Sequence, residues 1–247
     1  MLNFQVQGEG KPIVFLHGFL ETLSMWSYLD LEKIPGKHIF IDLPGHGISV
    51  LTDQTEEPSL EFMANGVLHV LSNLSIDCYS VVGHSMGGYI GLILKSLDKR
   101  CDKLVLLNSN FWDDSEQKKK DRIRIADLVF KAKRVFIQEA IPNLFAKPEL
   151  FEEEIRNLKE EALQMPPESI AYASLAMRMR KDYSEEIQLN PTDYYFIHGN
   201  LDRLIETEYL RSKLDTNQNL FVLEEAGHMA HIEQPEKVLK ILQLIFQ

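Results

Sequence analysis

Six short apolar runs, rich in β-branched residues and closed off by Gly, Pro, Asp or Asn, recur along the chain: IVFL from Ile13, HIFID from His38, YSVVG from Tyr79, KLVLLN from Lys103, YYFIHG from Tyr194 and NLFVLEEAG from Asn219. Each is short for a helix and lacks the polar alternation of a half-wet strand. Such runs suit strands buried on both faces of a parallel sheet. The opening LNFQVQ does alternate, as an edge strand with one solvated face would. Helical patterns lie between the runs. SLEFMANGVLHVLSNL sets Leu60, Met63, Val67, Val70, Leu71 and Leu74 near one stripe, and SMGGYIGLILKSL and EKVLKILQLIF are apolar enough to pack on a sheet. Strand followed by helix, repeated, implies an α/β fold with a mostly parallel sheet and right-handed crossovers.

The alternation stops between about Asn110 and Lys181, where helical periodicity is interrupted by Pro142, Pro148, Pro166 and Pro167 and no strand pattern occurs. Helices stop before prolines, so three or four helices fit. The expected organisation is a core of residues 1–109 and 182–247 with an inserted helical cap at 110–181. A chain of 247 residues buries roughly three quarters of its unfolded surface, enough for one large core. The formal charge of −11 argues against nucleic-acid or anionic-membrane partners, which need a basic field. No basic start precedes an apolar stretch at the N-terminus, and no apolar run approaches the roughly 20 residues of a membrane span. A cytoplasmic protein is expected, with Cys78 and Cys101 as buried free thiols in a reducing compartment.

Within YSVVGHSMGGYIG, Gly83-His84-Ser85-Met86-Gly87 fits G-x-S-x-G, between a strand pattern and a helix pattern. In such an elbow a strained turn projects the serine hydroxyl away from the sheet, and the helix aims its N-terminal amides at the reacting centre. A nucleophilic serine needs a base and a carboxylate that orients it. Asp202, in YYFIHGNLDRLI, follows a strand pattern and so falls on the sheet edge expected for Ser85, whereas Asp193 precedes that strand. An N-cap to a helix starting near Leu204 is the alternative use of Asp202. His228 follows the last strand through an Ala-Gly turn, and His231, three residues later, is the competing base. His84 and His198 read as supporting groups, and His38 and His69 as ordinary strand and helix residues.

The chain order Ser85, Asp202, His228 is that of the α/β-hydrolases. The sequence resembles that fold family over nearly its whole length, through FLHGFLET, IDLPGHGIS, VGHSMGGYIG, HGNLDRLI and EEAGHMAHIEQPE. The resemblance implies an oxyanion hole made by the backbone N–H groups of Phe19 and Met86, with His17 tying down its loop. It also makes Asp42, Pro44, Gly45, His46 and Gly47 a turn that shapes the pocket floor. It implies acyl transfer in two steps, with Ser85 attacking an ester carbonyl, His228 as base and Asp202 as its partner, and no metal or organic cofactor. The expected partner is a small-molecule ester of small or medium acyl chain, with no nucleic acid and no membrane. Phe111, Trp112, Phe130, Phe136, Phe145, Met165, Tyr172, Met177 and Met179 are candidates for apolar pocket wall or for cap packing. The basic segment EQKKKDRIRIADLVFKAKR and Arg178 and Arg180 read as a solvated face, with attraction of a carboxylate substrate as the alternative. A lyase resembling the menaquinone-pathway synthase, or a triad-bearing ligand receptor, are the competing functions; Tyr89 stands where an arginine would favour the lyase. Ser85 at the elbow disfavours haloalkane dehalogenase and epoxide hydrolase chemistry, which usually needs an aspartate there.

Overall fold

The computed structural model describes residues 1–51, 57–214 and 219–247. Every expected strand forms: β1 (Phe4–Gln7), β2 (Pro12–Leu16), β3 (Lys37–Ile41), β4 (Tyr79–His84), β5 (Cys101–Leu107), β6 (Tyr194–Gly199) and β7 (Asn219–Leu223). They make one sheet in the order β1-β3-β2-β4-β5-β6-β7. Only β1 runs antiparallel within it, against β3, with Phe4 opposite Ile41. Phe4 is half-buried and Gln5 and Gln7 are exposed, as an edge strand with one wet face requires, but Val6 is exposed as well.

The interior strands divide their side chains between two cores. Val14, Leu16, Val81, Leu104 and Leu106 face one side, while Ile13, Phe15, Val82, Val105 and Leu107 face the other. The period of two explains why these strands carry no polar alternation: both faces are dry. Helices α1 (Leu60–Asn73) and α2 (Met86–Leu97) pack on the first face. Ser59 caps α1, its hydroxyl accepting the Phe62 N–H at 3.1 Å. The other face is covered by the C-terminal helix Pro235–Phe246, through Val238, Leu239, Leu242 and Ile245, and by the turn carrying Met25 and Trp26.

Between β5 and β6 the chain forms α3 (Glu116–Ala140), α4 (Glu152–Gln164) and α5 (Pro167–Arg178). Pro142 and Pro148 each open a short 3-10 turn, and Pro166 and Pro167 start α5. A break in α3 at Ala132 (φ −146°, ψ 40°) has no proline or glycine to announce it. The next side chain, Lys133, donates to the Leu163 and Met165 carbonyls at the end of α4, where a cation meets the negative end of the helix. These helices share a third core that includes Val129, Phe145, Leu158 and Ile170 and extends to Leu20, Met229 and Ile232 of the sheet-edge loops. The short helices α6 (Ser184–Leu189) and α7 (Thr207–Lys213) flank β6, and α8 (Ala230–Glu233) precedes the C-terminal helix, α9. Cys101 is buried, but Cys78 is exposed, contrary to expectation: it lies in the turn before β4 rather than in the strand. Among the described residues no helix is long and apolar enough to cross a membrane.

Candidate active site

Ser85 links β4 to α2 with φ 48° and ψ −113°, a backbone region that non-glycine residues occupy only under constraint. Several contacts hold it there. Its N–H donates to the Leu107 carbonyl at 3.0 Å, and its carbonyl accepts the Gly88 N–H at 3.0 Å and the Ser109 hydroxyl at 2.7 Å. Gly87 is required by close approach, since a Cβ there would overlap the Leu16 and His17 carbonyls. Met86 opens α2, so its amide has no carbonyl one turn earlier to bind.

Asp202 lies just beyond β6 with its carboxylate out of solvent. One oxygen accepts from His228 Nδ1 at 2.8 Å and from Asn108 Nδ2 at 3.1 Å. The other accepts the Leu204 and Ile205 amides at 2.8 and 3.2 Å. The N-cap use weighed from sequence does not form: α7 begins at Thr207 with Glu206 before it, and the Leu204 and Ile205 amides lie in the turn between β6 and α7. Burial alone would raise the Asp202 pKa; the His228 imidazole, its hydrogen bond, His198 and Asn108 overcome it and hold the carboxyl at about 2. Because Nδ1 meets a carboxylate it donates to it, which leaves Nε2 as the ring nitrogen not engaged by Asp202. His231 is fully buried, neither of its ring nitrogens has a hydrogen-bond partner among the described residues, and burial drives its pKa well down.

Ser85 and His228 line a common cavity of about 320 Å³. Its apolar wall comes from Phe19, Leu20, Ile125, Phe136, Leu144 and Met177. Of the aromatic and methionine side chains weighed from sequence, only Phe136 and Met177 reach it. Phe111, Phe145, Met165 and Tyr172 are buried in the cores, Phe130 and Met179 are exposed, and Trp112 lines a separate surface pocket. The Asp42–Gly47 turn does not line the cavity either, which corrects the expectation of a pocket floor. Asp42 instead receives the Leu23 N–H at 2.8 Å and Asn3 Nδ2 at 2.7 Å, and the His46 ring packs 5.0 Å from that of His17. His17 is the tie expected: Nδ1 donates to the Gly18 carbonyl at 2.8 Å and Nε2 accepts the Leu43 N–H at 2.9 Å. Desolvation lowers its pKa to about 4, consistent with the neutral ring those partners require.

Two carboxylates that sequence reasoning missed organise the surroundings. Glu21 is buried, accepts the Gly18 N–H, and pairs with His84 Nδ1 at 2.9 Å; His84 Nε2 donates to the His228 carbonyl at 2.9 Å. Both His84 nitrogens thus face acceptors, so the ring is an imidazolium. Burial opposes that charge, and Glu21 together with the His228 carbonyl outweighs it, raising the pKa. Glu233 bridges the His228 loop and the helical insertion, accepting the Gly227 N–H at 2.7 Å and the Ala146 N–H at 2.8 Å. A glutamate inside an otherwise apolar motif, as in FLHGFLET, was the available signal.

Strand order, elbow and acid–imidazole contact together define a class of proteins built on a parallel sheet with a serine at the turn after its central strand. The model of the alpha/beta hydrolase family matches residues 13–241, and the chain belongs to that family. It is 29% identical to the dihydrolipoyllysine-residue acetyltransferase component of the acetoin cleaving system of Pseudomonas putida, over 95% of this chain and 63% of that protein. The chain thus spans less than two thirds of that relative. It is 26% identical, over 94% of its length and 95% of the relative's, to a Haemophilus influenzae protein named as a 2-succinyl-6-hydroxy-2,4-cyclohexadiene-1-carboxylate synthase. Among solved structures, a malate-bound thermophilic esterase from Thermogutta terrifontis superposes with a TM-score of 0.88 at 27% identity, covering 100% of this chain and 94% of that one.

Proposed function

We propose that the protein is a serine carboxylesterase that cleaves small or medium esters through an acyl-enzyme, with α3 to α5 acting as a cap over the reacting serine. The observation that carries this reading is the 2.8 Å contact of buried Asp202 with His228 Nδ1, in a cavity that His228 shares with Ser85. Ser85 attacks the ester carbonyl while His228 Nε2 takes its proton. Asp202 fixes the tautomer and stabilises the imidazolium that forms. The Phe19 and Met86 amides donate to the oxyanion, each such donor being worth about 3 to 4 kcal/mol in the transition state. The alcohol leaves with the proton from His228, and water, activated by the same nitrogen, releases the acid. The ester is a small molecule, and no metal or cofactor enters the steps.

A panel of p-nitrophenyl esters of increasing acyl length, hydrolysed by the wild type and by Ser85→Ala, tests the reading. Turnover confined to the wild type is the expected result, and equal negligible turnover by two folded proteins would remove its basis. The relative named as a synthase favours a second reading, a lyase on the same scaffold. Tyr89 lacks the arginine that would support it, and although the Arg180 guanidinium lies 4.3 Å from the Tyr89 ring centre, it is already paired with Asp114 at 2.7 Å. A lyase would convert its substrate without covalent labelling of Ser85 by a fluorophosphonate.

A further inference from the structure

The basic stretch that opens α3 does not simply face solvent. Lys118, Asp121 and Arg122 stand three and four residues apart, on one face of the helix, and all three line the cavity that holds Ser85 and His228. Lys118 stands at an exposed position; its ammonium donates to the Leu204 carbonyl at 3.0 Å and has two further N–H groups to offer. Arg122 uses Nε on Asp114 at 3.1 Å, while Arg180 takes the other oxygen of the same carboxylate at 2.7 Å. Asp114 has no solvent exposure, so one buried negative charge serves two guanidinium groups and a positive charge is left over. Asp121 is exposed, with Oδ1 engaged by Gln117 Nε2 at 3.1 Å; its charge offsets one cation, and Lys118, Arg122 and Arg180 still exceed Asp114 and Asp121 by one positive charge.

We propose that Lys118 and Arg122 form a carboxylate subsite, so that the preferred substrate is an ester carrying a second, anionic carboxyl group, such as a half-ester of a short dicarboxylic acid. The inference rests on the esterase reading for its chemistry. A neutral acyl chain has no use for two cations beside its pocket. An anion, by contrast, is repelled by a protein of formal charge −11 unless a local positive field gathers it. Hydrogen bonds from cations to a carboxylate are among the stronger single contacts a site offers.

Mono-p-nitrophenyl succinate and p-nitrophenyl butyrate form a matched pair with equal chain length and leaving group. The expected kcat/KM ratio favours the succinate in the wild type, falls about tenfold or more in Lys118→Met, and shrinks with added salt. A ratio at or below one, or a ratio that Lys118→Met leaves unmoved in a protein of unchanged melting temperature, overturns the subsite while leaving the esterase intact. Hydrolysis of neither ester would instead strike at the esterase reading. The subsite is then judged by equilibrium binding of monomethyl succinate and methyl butyrate to Ser85→Ala: anion-selective binding that Lys118→Met abolishes supports it, and equal or absent binding refutes it. Arg122→Lys, which keeps the charge near Asp114, is expected to retain more of the preference than Arg122→Met.

Discussion

Replacing Glu21 by glutamine is expected to destabilise the protein by about 3 kcal/mol near pH 6, and by less as the pH rises through the raised folded value of His84. The Glu21 and His84 side chains are 4% and 1% exposed, so solvent screens their attraction little. Against the cost of burial, the charge of His84 and its hydrogen bond hold the Glu21 carboxyl at about 2 rather than 4.5. That displacement corresponds to about 3 kcal/mol, because each tenfold change in proton affinity is about 1.4 kcal/mol, and losing one partner of a buried pair costs about the same. The carboxyl's contribution is fully present above pH 4.5 and is lost as the pH falls through about 2. The raised imidazole contributes fully below pH 6.5, its ordinary value, and is lost as the pH rises through its higher folded value. Both are complete only between pH 4.5 and 6.5. In Glu21→Gln, burial is opposed by the His228 carbonyl and Asp202 without the Glu21 charge, so His84 loses its proton and the variant weakens further as acid protonates its unfolded chain. Urea denaturation followed through the buried Trp26 reads the difference. A gap below about 1 kcal/mol near pH 6, or one that narrows nowhere on the alkaline side, would refute the ion pair.

Four further substitutions probe the supporting structure. Asp202→Asn is expected to lower kcat by about 10⁴-fold, because an amide fixes the wrong imidazole tautomer, while His231→Ala leaves kcat within a few-fold; an equal loss in both would reverse the assignment of the base. Gly87→Ala should lower stability by about 1 to 3 kcal/mol in urea titrations, since its Cβ meets backbone carbonyls that cannot rotate away. Arg180→Met, which strips buried Asp114 of its 2.7 Å partner, should cost about 3 kcal/mol; an unchanged urea midpoint would show that Arg122 suffices.

The sheet was legible because strands buried on both faces read as unbroken apolar runs, and the order of the motifs followed from the strand ends that carry them. The contact of Asp202 with His228 was legible for the same reason: each residue follows a strand on the same edge. Side chains whose environment is decided by packing between distant segments were not. Helical periodicity identifies the apolar face of α3 and α5 but does not separate Phe136 and Met177, which meet the cavity, from Val129 and Tyr172, which meet other side chains. Charged residues are read as surface by default, which hid Glu21, Glu233 and Asp114, and Cys78 was misread because the apolar run begins one residue after it. Asn108 at the end of β5, with φ 44°, carried a trace of its role, since asparagine tolerates that backbone and its amide then reaches Asp202 at 3.1 Å.

If His228 activates Ser85 as a nucleophile, intact-protein mass spectrometry and peptide mapping after treatment with a fluorophosphonate will show one adduct per chain, on Ser85, formed at a rate that collapses in His228→Ala and is unaffected in His231→Ala. A folded wild-type protein that remains unlabelled, or that labels equally fast without His228, would contradict that activation.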